Sequence, residues 1–333
     1  MANAENRVAA VAAEIQGLSP NIAQLMQRVR AVTIEPRVAS LEGRERAETL
    51  LPCEIGAEAL GRCQILVANN VIVLETLGVL SLTRYVFELL VWLRTIHQAP
   101  LKSLRFLMLS LKDAEDHTSQ HIAHLEAEAQ FLDEMAQRDN PMPGMKALVE
   151  EHGDNLTAEI VQKAEKARMD AIDFEARRHF VAYASDAKVN GYGFQAYLIR
   201  TKAVAAAQAD LEAKRQMRLD FVSRFGQTLI DEAGGVSKWN WFDSARLVGM
   251  EPEYHYIYRY TSRLLHATPT SFYTTSKNLE LTEMRLLLEY VYVRLLDVID
   301  VVTDLAVRAE KKCGSGPRTD FDDPQWQKGQ GEP

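Results

Sequence analysis

Residues 254–272 read YHYIYRYTSRLLHATPTSF. Apolar, aromatic and charged residues recur there on a helical period, and Pro269 stops the pattern. Tyr258, Ser262 and His266 fall at i, i+4 and i+8; Arg259, Arg263 and His266 fall at i, i+4 and i+7. On 3.6 residues per turn these are two adjacent stripes that meet at His266. The stretch therefore predicts one amphipathic helix bearing a histidine, two arginines, a hydroxyl and a phenol, with the rest of the chain as its scaffold.

Working outward, every neighbouring segment has helical composition. Residues 280–311 place Leu281, Met284, Leu288, Val291, Leu295 and Val298 on one face. Residues 237–250, SKWNWFDSARLVGM, form an aromatic loop running into a helical turn, and 195–229 read as a strong helix closed by Gly234 and Gly235. Upstream, 101–138 is a long charged amphipathic helix and 145–187 continues with helical composition and a weak break around His152-Gly153-Asp154, the two joined by the turn DNPMPG at 139–144, with KVNGYGF at 188–194 as the exit loop. Residues 55–97 read as the most apolar helix, with a bend or a break near Gly78 and Ser81. Pro52 separates it from a helix over 38–51, and residues 1–31 break at Ser19-Pro20. No segment sustains period-2 alternation. The expected fold is all-α, a multi-helix bundle with a long inserted helical hairpin and a disordered C-terminal tail. Its expected parts are N-terminal helices over 1–54, a core over 55–100 and 195–312 carrying the candidate site, the hairpin over 101–194, and the polar, Pro/Gly-rich tail over 313–333.

Bulk properties narrow the function. The chain has 333 residues, 47% of them hydrophobic, enough for a large core. A formal net charge of −8 disfavours an extended nucleic-acid surface but leaves room for a local basic face. Three cysteines, Cys53, Cys63 and Cys313, show no CxxC spacing, which fits a reducing cytoplasm and no disulfide-linked partner. The N-terminus lacks the basic-then-apolar pattern of a secretory signal. Glu75, Arg84 and Glu88 interrupt the apolar region 63–93, so it is expected to be a core helix or helix pair and not a membrane span.

Each chemical constellation has a competing reading. Metal-free RNA cleavage needs a base for the 2′-hydroxyl and cations for the developing charge; His266, Arg259 and Arg263 supply both types. The same residues equally suit a core hydrogen-bonding network in which the arginines meet carboxylates such as Glu88. Arg84 and Glu88, at i and i+4 in apolar surroundings, form either a second wall of that pocket or a clamp between helices, since desolvated charges need partners. His117, His121 and His124 have metal-ligand spacing but stand on a charged helix where solvent-facing histidines are ordinary. Asn190-Gly191-Tyr192-Gly193 lacks the strand and the Lys-Ser/Thr of a phosphate loop and reads as a helix–helix turn. Trp239 and Trp241 suit either a base-stacking platform or a hydrophobic plug. No cofactor is expected.

Two stretches together resemble an uncharacterised bacterial all-helical domain family that pairs an Arg-x3-Glu helix with a later Tyr-Arg-x2-Ser-x3-His-x2-Pro helix. Here these are Arg84 and Glu88, then Tyr258, Arg259, Ser262, His266 and Pro269, preceded by a similar tryptophan-containing lead-in. The likeness covers about 65–98 and 236–300, and the family looks distantly like HEPN nucleases. Arg259 and His266 enclose six residues, the long end of the HEPN spacing, and Tyr260 stands where HEPN proteins usually carry a polar residue. The resemblance implies an RNA-binding or metal-independent RNA-cleaving protein, a toxin or antiphage effector. His266 would be its acid/base, Arg259 and Arg263 its phosphate ligands, and Arg84 with Glu88 their support. It further implies a homo-oligomer with the site where two copies meet. The alternative is a non-catalytic helical interaction or scaffold protein in which the Arg/Glu/His cluster is structural.

Overall fold

The computed structural model describes residues 2–69, 75–179, 184–265 and 279–312, and every regular element in them is helical. The first helices are α1 (Ala2–Gly17), α2 (Ser19–Ile34), α3 (Pro36–Ala39), α4 (Gly43–Asn69) and α5 (Thr76–Gln98). Then come α6 (Lys102–Arg138), α7 (Pro141–His152), α8 (Ala158–Arg178), α9 (Ala184–Asn190), α10 (Tyr192–Leu198), α11 (Ala205–Phe225) and α12 (Gln227–Glu232). The last are α13 (Trp241–Leu247), α14 (Glu251–Glu253), α15 (Arg259–Leu265) and α16 (Leu281–Lys312). The all-α expectation holds. The tail 313–333 lies outside the described residues.

Two compact units divide the chain. One comprises the residues up to Leu109 together with those from Val222; the other is Ser110–Phe221. The second unit thus begins within α6 and ends within α11, taking in residues 195–221 that the sequence reading placed with the core.

In the first unit α16 is the central helix, packed against α1, α2, α4 and α5. Its buried residues, Met284, Leu287, Leu288, Val291, Leu295, Val298, Val302 and Leu305, recur every three or four positions. That is the stripe a helix needs to face a core. Each such side chain removed from water contributes about 1.5–3 kcal/mol. α5 answers with Val79, Leu80, Val86, Phe87, Leu90 and Val91, all buried. The N-terminal helices join the same core through Val8, Ile15, Ile22 and Val29. Arg28 on α2 forks onto Glu310 on α16, its Nε donating to Oε1 at 3.0 Å and Nη2 to Oε2 at 2.9 Å. α4 approaches α16 closely at Gly56, where an added Cβ would lie 3.0 Å from Val302 Cγ1.

Sequence boundaries moved at Pro52 and at the 139–144 turn, where α7 already begins at Pro141. Pro52 does not end a helix but sits buried inside α4. A mid-helix proline costs about 3 kcal/mol; burial of Leu50, Leu51, Cys53 and Ile55 around it offsets that cost. Of the two readings of the apolar region, one helix or a helix pair, the structure has the pair: α4 ends at Asn69 and α5 starts at Thr76, before Gly78 and Ser81. By length and composition α5 could cross a bilayer, and half of its most apolar window is buried inside the fold. Its pairing with α16 is that of a core helix.

The second unit has its own core of Leu125, Ala129, Leu132 and Met135 from α6, Ile172 and Ala176 from α8, and Tyr192, Ala196 and Ile199 beyond. Lys214 of α11 donates to Thr118 Oγ1 at 2.6 Å, fixing α11 to α6. The NGYG stretch is the expected turn between α9 and α10, made at Gly191 with φ of +89°. That left-handed backbone favours glycine.

Candidate functional site

The stretch that begins at Tyr254 is not a uniform α-helix. A π-helical segment, Tyr254–Tyr258, joins α14 to α15. Such wide turns occur often at functional sites and change the angular register of the residues beyond them. The register separates two tyrosine pairs. Tyr254 and Tyr258 stack with ring centroids 4.9 Å apart, and both meet the buried Phe87 of α5, at 6.5 and 5.6 Å. Tyr256 and Tyr260 stack at 6.2 Å with planes 8° apart.

The structure brings Arg84 and Glu88 to Tyr258. Arg84 Nε donates to Glu88 Oε1 at 2.9 Å, and Nη2 donates to the Tyr258 hydroxyl oxygen at 3.2 Å. The guanidinium also lies 4.8 Å from the Tyr258 ring centroid, a cation–π contact. Burial pushes the Tyr258 phenol up, and the Arg84 charge opposes this only in part. For Arg84 burial favours the neutral form, but the bonds to Glu88 and Tyr258 prevail and raise its pKa.

The other predicted residues go elsewhere. Arg259 and Arg263 are exposed, Ser262 is half-buried, and Thr261 between them is fully buried with its hydroxyl donating to the Ile257 carbonyl at 2.8 Å. Tyr256, exposed by 57%, joins the two arginines on the outward side. Tyr260 donates to Glu283 Oε1 at 2.9 Å; burial first, then Glu283, pushes its phenol up to about 12. His266 and Pro269 lie outside the described residues.

Trp239 and Trp241 pack on a partner that sequence reasoning missed, Trp92 of α5. Trp92 stacks on Trp239 at 3.4 Å and meets Trp241 edge-on at 6.4 Å. Phe106 closes the cluster, and the Arg105 guanidinium lies 5.2 Å from the Trp239 ring centroid. The tryptophans thus spend their faces on one another, as a plug does. His117, His121 and His124 are all exposed, with His124 Nε2 3.7 Å from Glu128 Oε2. Among the described residues no group of three or more His, Cys, Asp or Glu side chains could hold a metal ion. Cys53 and Cys63 are buried thiols, and burial pushes Cys63 up to about 12.

A second polar network was not anticipated. Asp297 on α16 accepts from Arg94 of α5 at 3.0 Å and forms an ion pair with Arg294 at 2.7 Å, and Arg294 stands 3.7 Å from Glu253. Two carboxylates, Asp297 and Glu253, thereby tie α5, α16 and α14 through Arg94 and Arg294. Replacing Asp297 with Ala leaves two guanidiniums facing each other. The expected loss is about 2–3 kcal/mol, between the values for exposed and buried pairs. Urea midpoints measure it, and Asp297→Asn should recover part.

Comparison with family models, with curated proteins and with solved structures found no match to this chain.

Proposed function

We propose that the chain binds single-stranded RNA along the face formed by Tyr256, Arg259, Tyr260 and Arg263, and that it is a HEPN-like protein acting on that RNA without a metal. The observation that carries the binding reading is the alternation on that face. Tyr256, Arg259, Tyr260 and Arg263 fall at i, i+3, i+4 and i+7, with both arginines and Tyr256 exposed and the two rings parallel. Guanidiniums take phosphates, and tyrosine faces take bases without regard to sequence. A local cationic face also reconciles RNA binding with a net charge of −8. The resemblance adds cleavage by His266, three residues beyond Arg263, with a second copy of the chain completing the site. It supports an effector role, in antiphage defence or as a toxin, inside the cell.

The test is binding of a labelled single-stranded oligoribonucleotide across a salt series. Replacing Arg259 and Arg263 together with Ala should weaken binding at least tenfold. It should also flatten the salt dependence of log K by about 0.7 per arginine. No binding by the wild type, or binding indifferent to the double substitution, overturns the reading.

A second reading, an interaction or scaffold protein, is favoured by the Arg84–Glu88–Tyr258 cluster. Its polar atoms are bonded to each other and hold α5 against the π-helical segment. On that reading Tyr258→Phe lowers the melting temperature and RNA binding is absent throughout.

A further inference from the structure

A cavity of 450 Å³ opens where α4, the turn after α5 and the end of α16 converge. Its apolar walls are Pro52, Pro100 and Leu305, and three cations border it, Arg308, Lys311 and Lys312. Glu48, the carboxylate at its edge, is already paired with Arg44 at 3.2 Å. Two cations are held in place. Lys312 Nζ donates to Thr49 Oγ1 at 2.9 Å. Arg308 Nη1 donates to the His97 carbonyl at 2.9 Å, while Nη2 lies 2.7 Å from His97 Nε2. Burial, and then the Arg308 charge, hold His97 below its ordinary value, although Asp304 at 3.3 Å pulls the other way. Near pH 7 the ring is therefore neutral and accepts from Arg308.

Lysines in a last helical turn complement the negative end of the helix dipole, about half an elementary charge. That accounts for Lys311 and Lys312, both in the last turn of α16, but not for Arg308 beside the same hollow. The volume suits a small organic ligand. The walls ask for a few carbons, and the rim asks for a negative head.

We propose that this cavity binds a small organic anion, a carboxylate or phosphate head on a short apolar body. This inference does not depend on RNA binding. Two sources share the chemistry: a diffusible ligand, and the chain's own acidic segment Asp320-Phe321-Asp322-Asp323.

Titration calorimetry of the full chain at low salt with hexanoate, acetate and inorganic phosphate tests it. Hexanoate should bind at least tenfold more tightly than acetate because its extra methylenes leave water. Lys311→Glu should cut hexanoate affinity about tenfold with an unchanged melt, since Lys311 is exposed. If the wild type is silent but a chain with Asp320, Asp322 and Asp323 replaced by Asn binds hexanoate, the acidic segment is the native occupant and the site stands. Silence in both chains overturns the proposal. So does binding in which hexanoate and acetate are equal and Lys311→Glu has no effect.

Discussion

Phe87→Ala should lower the stability of the first unit by about 3–5 kcal/mol, the range for truncating a buried phenylalanine. Phe87 is fully buried, with 0% exposure, and lies among the α5 residues that pack in the main core. Its ring is also the surface on which Tyr254 and Tyr258 rest, at 6.5 and 5.6 Å. Truncation therefore costs the transfer of the ring, a cavity at the seam, and two aromatic contacts. Chemical denaturation followed by tryptophan fluorescence reads this unit directly, because Trp92, Trp239 and Trp241 all lie in it. The midpoint should fall with the slope retained. Phe87→Leu should recover most of the loss. A change below about 0.5 kcal/mol, the ordinary range for surface substitutions, would mean that the seam between α5 and the π-helical segment is not packed as described.

That seam marks where sequence reasoning succeeds and where it stops. The stripe through Met284, Leu288, Val291, Leu295 and Val298 was legible because a long helix buried on one side repeats its apolar residues every three or four positions. The turn at Asp139-Asn140 was legible because Asn140 caps the next helix, its side chain accepting from the Met142 amide at 3.0 Å, although that helix already begins at Pro141 and not at 145. The position of a gap inside an apolar segment was not. Residues on both sides of the break after Asn69 are apolar, and a helix buried on several faces loses the contrast that periodicity needs. Pro52 misled for the opposite reason: local cost argued for a break, and tertiary burial outweighed it.

The candidate site was legible as a set of residues and not as an arrangement. A 3.6-residue period joined Tyr258 and Arg259 in neighbouring stripes. The π-helical segment turns Tyr258 towards α5 and leaves Arg259 and Arg263 outside, and nothing in residue type announces an i→i+5 turn. The contact between Arg84 and Tyr258 spans 174 positions of sequence. Arg84 and Glu88 could be recognised as charges in need of partners; which partner they found is a property of the packing. The same holds for Trp92, one aromatic among many apolar residues until Trp239 stacks on it.

On the nuclease reading, His266→Ala should reduce RNA cleavage in EDTA by about 10²–10⁴-fold, the usual contribution of a general acid or base. The chemistry needs three things on one face. A base must take the 2′-hydroxyl proton, a proton must reach the leaving 5′-oxygen, and positive charge must meet the phosphate as it gains negative charge. Arg259 and Arg263 are exposed one turn apart and offer the charge. His266, three residues past Arg263, is the histidine nearest in sequence, and histidine is the residue type suited to acid/base work near neutral pH. Arginine substitutions should then weaken both binding and cleavage, whereas His266→Ala should spare binding. Thermal melts run alongside separate the two functional classes. Cleavage lost with the melt unchanged means a metal-independent nuclease. No cleavage by the wild type, with a melt clearly lowered by His266→Ala, means that the histidine holds the helix to the core. In that case the cleavage reading falls, and the binding assay alone decides whether the exposed Tyr/Arg face meets RNA.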